Sequence, residues 1–197
     1  LSEHTAEGYL SVGKQSPMGL SFTLSATAEF YKLNNRERWT VYPQASLTYM
    51  SNPDHIFQGT LQVQKLYPSY WQMQDAVGYI DGYAELHNTS GLEPSKLYSL
   101  NANYIFRQKY VSGAFMTSNH KMVAQAMYQS KERLALIYQT HNWDYISQTG
   151  LLAVIPYKPV EWFDTRATIV GVYVSQRCDD FFDIGFEDNS FIGMLTM

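Results

Sequence analysis

A chain of 197 residues, 45% hydrophobic and only 16% charged, is long enough for one sizeable domain and too apolar to stay disordered. Its formal net charge of −4, with no basic run, excludes a non-specific nucleic-acid binder. The single cysteine, Cys178, excludes an intrachain disulfide and a zinc site built from several thiolates.

A spanning helix needs about 20 mostly apolar residues, and the longest apolar stretch, Leu151 to Tyr157, is far shorter. The opening Leu1-Ser2-Glu3-His4 has neither the basic start nor the apolar run of a signal peptide. It reads as the start of a processed or excised piece.

In chain order, the first strong pattern runs from Leu20 to Phe30. There Leu20, Phe22, Leu24, Ala26, Ala28 and Phe30 alternate with Ser21, Thr23, Ser25, Thr27 and Glu29, which is a strand period and not a helical one. Trp39, Val41, Ala45, Leu47 and Tyr49 alternate in the same way, with Pro43 inside the run and expected at a strand start or bulge. Phe57, Leu61 and Val63 follow, and then Tyr98, Leu100, Ala102, Tyr104 and Phe106. Looser alternation covers 110–117, 122–129, 134–139, 151–157, 165–174 and 184–197.

Turn signals separate these runs at 13–17, Asn34-Asn35, 51–54, 117–120, 130–132 and Cys178-Asp179-Asp180. A helix fits only at Asp75–Leu86, where Gly78 and Gly82 oppose it. The predicted fold is all-β: an antiparallel meander of on the order of 10–13 strands, forming part or all of a β-barrel, with 1–197 as a single domain.

The non-apolar face carries Ser, Thr, Gln and Asn in place of Lys and Glu. A soluble sandwich usually charges its wet face, whereas a transmembrane barrel turns apolar residues to lipid and uncharged polar ones to a watery lumen. Phe22, Leu24, Leu47, Leu61, Leu100 and Tyr104 are then the expected lipid-facing residues. Trp39, Tyr49, Tyr67, Trp71 and Trp143 would suit an interfacial girdle. A soluble, secreted or periplasmic β-sandwich or small barrel, binding glycan through surface aromatics, is the alternative.

Tyr42-Pro43-Gln44-Ala45-Ser46-Leu47-Thr48-Tyr49 resembles a Pro-x-Ala-Ser-Leu-x-Tyr strand, and Tyr67-Pro68-Ser69-Tyr70-Trp71-Gln72-Met73 an Arg-Pro-x-Tyr-Trp-x-Leu segment. Gly91-Leu92-Glu93-Pro94 is similar to the end of a Gly-Asn-Pro-x-Leu-x-Pro turn, and His4–Leu10 to the strand that usually precedes these pieces. In this order and spacing they resemble the outer-membrane β-barrel region of TonB-dependent receptor-like proteins, from Glu3 to about Gln176. Tyr67 stands where that family has Arg, and Asn88-Thr89-Ser90 where it has Gly-Asn-Pro.

The resemblance implies a barrel-wall segment of an outer-membrane nutrient receptor, non-catalytic in itself. The lipid bilayer, a plug domain and an energy-coupling protein across the periplasm are the implied partners. This chain would supply the later part of a barrel of about 22 strands, without the plug. Alone, with two open edges around Tyr9–Val12 and Phe191–Met197, it is expected to form a homo-oligomer or to curl into a smaller barrel.

No catalytic signature occurs, and no cofactor is implied. His4, His55, His87, His120 and His141 are widely spread and read as loop residues, not as a metal set. Asp179, Asp180, Asp183, Glu187 and Asp188 form an acidic cluster without the EF-hand spacing. Glu29, Glu85, Glu93 and Glu161 are scattered carboxylates without a defined separation. Tyr67, Tyr70 and Trp71 form the densest aromatic group. They are the candidate ligand-binding residues, at a barrel mouth, against the plainer reading of a girdle or packed turn.

Overall fold

The computed structural model describes residues 3–33, 36–89, 91–181 and 184–197. Among the described residues it contains eleven strands and no helix. The strands are β1 (Glu3–Gln15), β2 (Leu20–Leu33), β3 (Arg36–Asn52), β4 (His55–Leu66), β5 (Val77–Tyr79) and β6 (Ala84–His87). They continue with β7 (Ser95–Phe106), β8 (Tyr110–Gln129), β9 (Leu136–Val160), β10 (Phe163–Phe181) and β11 (Ile184–Thr196). One sheet runs β1-β2-β3-β4-β7-β8-β9-β10-β11, every neighbour antiparallel, and β1 and β11 are not paired with each other. The predicted meander is therefore the observed one, as a single open sheet and not a two-layer sandwich.

Register explains the alternation. Val12, Leu24, Ala45, Leu61, Leu100, Met116, Thr149, Tyr173 and Phe191 stand opposite one another across the whole sheet. Paired residues share a face, so this row is one belt, and nearly all of its large apolar members are exposed. The next row on the same face adds Phe22, Leu47, Ala102, Ala114 and Leu151. A continuous apolar face of this size needs a cover other than water.

The opposite face carries Thr23, Ser46, Thr60 and Asn101 in register. Toward the later strands the same row continues as Phe115, Gly150, Val172 and Ile192. The expected polar lumen side thus holds for the first half of the sheet, and this row turns apolar from Phe115 on β8 onward.

The two ends of the sheet differ. At one end the connections are short, with two to four residues between β1 and β2, β3 and β4, β7 and β8, and β9 and β10. Gly19 (φ 78°) closes the first of these, with its carbonyl accepting from Met50 N at 2.8 Å. A Cβ at Gly19 would strike the Met50 carbonyl oxygen. Near this end Tyr49, Phe57 and Tyr104 stack on the apolar face at 6.3 and 4.8 Å between ring centres. His55 joins them, its Nδ1 2.7 Å from the Tyr104 hydroxyl.

At the other end lies the long connection 67–94, which contains β5 and β6. β6 pairs parallel with β9, Ala84–His87 against Leu136–Gln139, on the side of β9 away from β8. It is the one parallel pair among the described strands, and the helix considered at Asp75–Leu86 is this short hairpin. The predicted turn at 117–120 is instead the middle of β8, which continues to Gln129 with Lys121 at a positive φ of 56° and the same β9 register on either side. Cys178–Asp180 likewise lies within β10, with Cys178 fully buried. The Asn34-Asn35 turn lies outside the described residues. Pro43 is interior to β3, opposite Ala26, next to the point where the β3–β4 ladder ends at Gln44 and Gln62.

Candidate functional site

Past Gln44 and Gln62 the strands β3 and β4 part, and Lys65 turns into the space between them. Its ammonium lies 3.0 Å from Glu29 Oε1, with both side chains almost fully buried. The Tyr67 hydroxyl accepts from Lys65 and donates to the same carboxylate oxygen. Lys65 Nζ also sits 5.0 Å from the centre of the Tyr31 ring and 4.3 Å from that of Tyr67. A buried carboxylate is tolerable only when paired and hydrogen-bonded, and here both conditions are met.

This knot fixes the start of the 67–94 connection. Directly after it, the Ser69 hydroxyl and backbone N–H donate to Gln72 Oε1 at 2.9 and 2.8 Å, and Gln72 N returns to the Ser69 carbonyl at 3.0 Å. The resulting turn leaves Tyr70 and Trp71 60% and 76% exposed. The connection then crosses to the far side of β9, where Glu85 is clamped by Arg133 Nη2 at 2.5 Å and His87 Nε2 at 2.9 Å. On its return Asn142 grips the Glu93 backbone, accepting from its N–H at 2.7 Å and donating to its carbonyl at 2.9 Å. Asn142 shares a face of β9 with Gln148 and Gly150, the face opposite the apolar belt. The segment therefore lies over the inner side of the sheet.

Between the segment and the strands lies a cavity of about 890 Å³. Thr5, Glu7, Tyr31 and Arg38 from β1–β3 form one wall, and Tyr67 through Trp71, Met73 and Gly91–Pro94 form the other. All three aromatics singled out from the sequence line it, and so do two of the motif segments that carried the family resemblance. Tyr67 and Trp71, also considered for a girdle, both line this cavity. Tyr49 stacks with Phe57 at 6.3 Å near the short-turn end, Trp39 packs on Phe30 at 5.0 Å near the opposite end of the belt, and Trp143 packs on Phe186 at 5.7 Å. Sequence reasoning missed Lys65 and Arg38, and it had Glu29 only as a scattered acid. Their meeting depends on a register that spacing does not reveal.

All five histidines lie in strands, not in loops. Among the described residues no three His, Cys, Asp or Glu side chains converge as a metal set, and Asp183 lies outside those residues. Asp179 is held by Arg177 Nε at 2.6 Å. Beyond the apolar belt, Lys121 Nζ lies 2.6 Å from Asp144 Oδ1, and Asp179 N donates to Asp144 Oδ2 at 2.7 Å. The Lys121 hydrogen bond, aided by that N–H, lowers the Asp144 pKa, and Asp144 in turn raises that of Lys121.

An antiparallel sheet with one apolar face, one largely polar face, short turns at one end and one long connection, 67–94, at the other has the features of a transmembrane β-barrel wall. The outer membrane protein beta-barrel family model matches residues 21–197, and the chain belongs to that family. It is an outer-membrane protein, as the sequence resemblance implied. No curated protein matches the sequence.

Among solved structures it is similar to the ferric enterobactin receptor PfeA in complex with BCV-L6, with a TM-score of 0.55, 10% identity, and 87% of this chain against 30% of that one covered. The siderophore receptor PirA from Acinetobacter baumannii gives 0.55 and 11%, over 90% of this chain and 28% of that one. A PfeA mutant from Pseudomonas aeruginosa in complex with enterobactin gives 0.53 and 11%, over 95% and 32%. At these identities the likeness is one of fold, and the chain spans about a third or less of the length of those receptors.

Proposed function

We propose that this chain forms part of the wall and the outer vestibule of a TonB-dependent receptor-like protein that takes up a nutrient, with 1–197 acting as one structural unit. The observation that carries this reading is the inward path of residues 67–94. A connection pinned to the inner side by Glu29 at one end and Asn142 at the other narrows the lumen and builds a cavity there. In outer-membrane barrels the short turns are periplasmic and the longer loops extracellular, so the cavity faces the outside, where cargo arrives. Tyr67, Tyr70 and Trp71 are its ligand-binding residues. The chain itself is non-catalytic. A plug in the lumen and an energy-coupling partner across the periplasm complete the parent.

The test is disruption of the encoding sequence, followed by growth on panels of limiting iron and carbon sources with and without a protonophore. The reading expects loss of growth on at least one source and loss of the same uptake when the proton gradient is collapsed. Unchanged growth on every source, or uptake indifferent to the gradient, would overturn it.

A further inference from the structure

The polar groups around the vestibule bear on what it accepts. The cation inside it, Lys65, is fully engaged by Glu29 and Tyr67 and covers the Tyr31 and Tyr67 rings. It neither awaits an anion nor leaves those ring faces to a cationic guest. The remaining charged lining residues are one cation, Arg38, and two carboxylates, Glu7 and Glu93. An anion meets two carboxylates there, and a cation meets Arg38, the charge of Lys65 being already balanced by Glu29. A neutral guest meets neither penalty.

Tyr70 and Trp71, both mostly exposed, offer flat apolar faces. Ser69, Arg38 and Glu93 stand around the cavity as donors and acceptors. A guest with one apolar face and a hydroxyl-lined edge satisfies both kinds of group. The cavity of about 890 Å³ lies within the range that holds a ligand of several rings.

We infer that the vestibule binds a neutral oligosaccharide, with sugar rings stacked on Trp71 and Tyr70 and hydroxyls directed to Arg38 and Glu93. The inference rests on the vestibule reading above and adds the substrate class to it.

The experiment uses outer-membrane vesicles from cells with the intact protein, from cells lacking it, and from cells with Trp71→Ala or Trp71→Phe. The probes are fluorescent neutral oligosaccharides of glucose, galactose and mannose, with a sialylated oligosaccharide and a ferric catecholate as charged controls. We expect retention of at least one neutral probe only where the protein is present. Trp71→Ala should weaken it about tenfold, the scale of one aromatic stacking contact, while Trp71→Phe should preserve most of it.

Retention of no neutral probe, retention indifferent to Trp71→Ala, or preference for a charged control would overturn the sugar assignment. Fractionation of the same cells reports separately on the receptor reading. Absence of the protein from the outer membrane would sink that reading, whichever probe bound.

Discussion

At the scale of single residues, the Glu29–Lys65 pair is the most consequential contact, because it joins the sheet to the connection that builds the vestibule. Lys65→Met would leave the Glu29 carboxylate buried without its cation, at a cost of about 3–5 kcal/mol. Glu29→Leu combined with Lys65→Met removes both charges and should recover most of that loss. Urea unfolding from lipid vesicles measures both, and a single variant as stable as the parent would show that water reaches the pair. Gly150 sets a different constraint. A Cβ there would lie 2.5 Å from Phe115 Cζ and 2.8 Å from the Gly171 carbonyl oxygen. The ring could swing away, but the carbonyl belongs to the neighbouring strand. Gly150→Ala should therefore destabilise by about 1–3 kcal/mol, and Phe115→Leu should relieve only part of it in the same unfolding assay.

At the scale of elements, the strands were legible in the sequence wherever one face meets lipid and the other water. That contrast imposes period two on Leu20–Phe30, Leu47–Tyr49 and Tyr98–Phe106, and the observed registers keep each set on one side. Arg at Leu61 or Leu100 should thus cost about 2–4 kcal/mol near the midplane, while Arg at Thr60 or Asn101 should cost little. Equal tolerance in vesicle-refolding titrations would argue that the faces are assigned wrongly. Beyond the belt both faces are wet, alternation loses its cause, and Thr117-Ser118-Asn119-His120 reads as a turn while lying inside β8. The parallel β6–β9 contact was illegible for another reason, since it joins residues about fifty positions apart that no local pattern pairs. The aromatic cluster was visible because its members are close in sequence, whereas its partners Glu29 and Arg38 come from other strands. The extension of β8 and β9 also carries the Lys121–Asp144 pair. Asp144 has its folded-state pKa lowered, so its contribution is present above the unfolded carboxyl value of about 3.9 and is lost as pH falls through the folded value. Lys121 has the opposite sign, present below about 10.4 and lost as pH rises through its raised value. Amide protection in 121–145, taken as the exchange rate relative to the intrinsic rate at the same pH, should therefore be greatest between these limits and fall in acid. Lys121→Met should flatten the acid limb, and an unchanged limb would mean that the pair contributes nothing to the extension.

At the scale of the whole molecule, the open sheet leaves β1 and β11 each paired on one side only. Their outer edges present rows of unsatisfied backbone N–H and C=O groups, which are tolerable in a bilayer only when another strand covers them. Neither edge is well defended. Gly8–Gly13 on β1 and Asn189–Thr196 on β11 carry no charged side chain, and no Lys occurs between Ile184 and Thr196. The belt adds to the drive, because Val12 and Phe191 at its two ends are exposed and would gain cover from a neighbouring strand. A chain limited to these residues and refolded in detergent should therefore pair β1 with β11, either between copies as a homo-oligomer or within one copy as a smaller closed barrel. Sedimentation in density-matched detergent separates the two outcomes by mass, and amide exchange reports whether the edges are protected. Lys substituted at Leu10 and at Ile192 should shift the mass toward monomer in the oligomeric case, since edge lysines oppose strand addition. A monomer whose β1 and β11 amides exchange as freely as those of the turns would show that exposed edges do not drive assembly in this sheet.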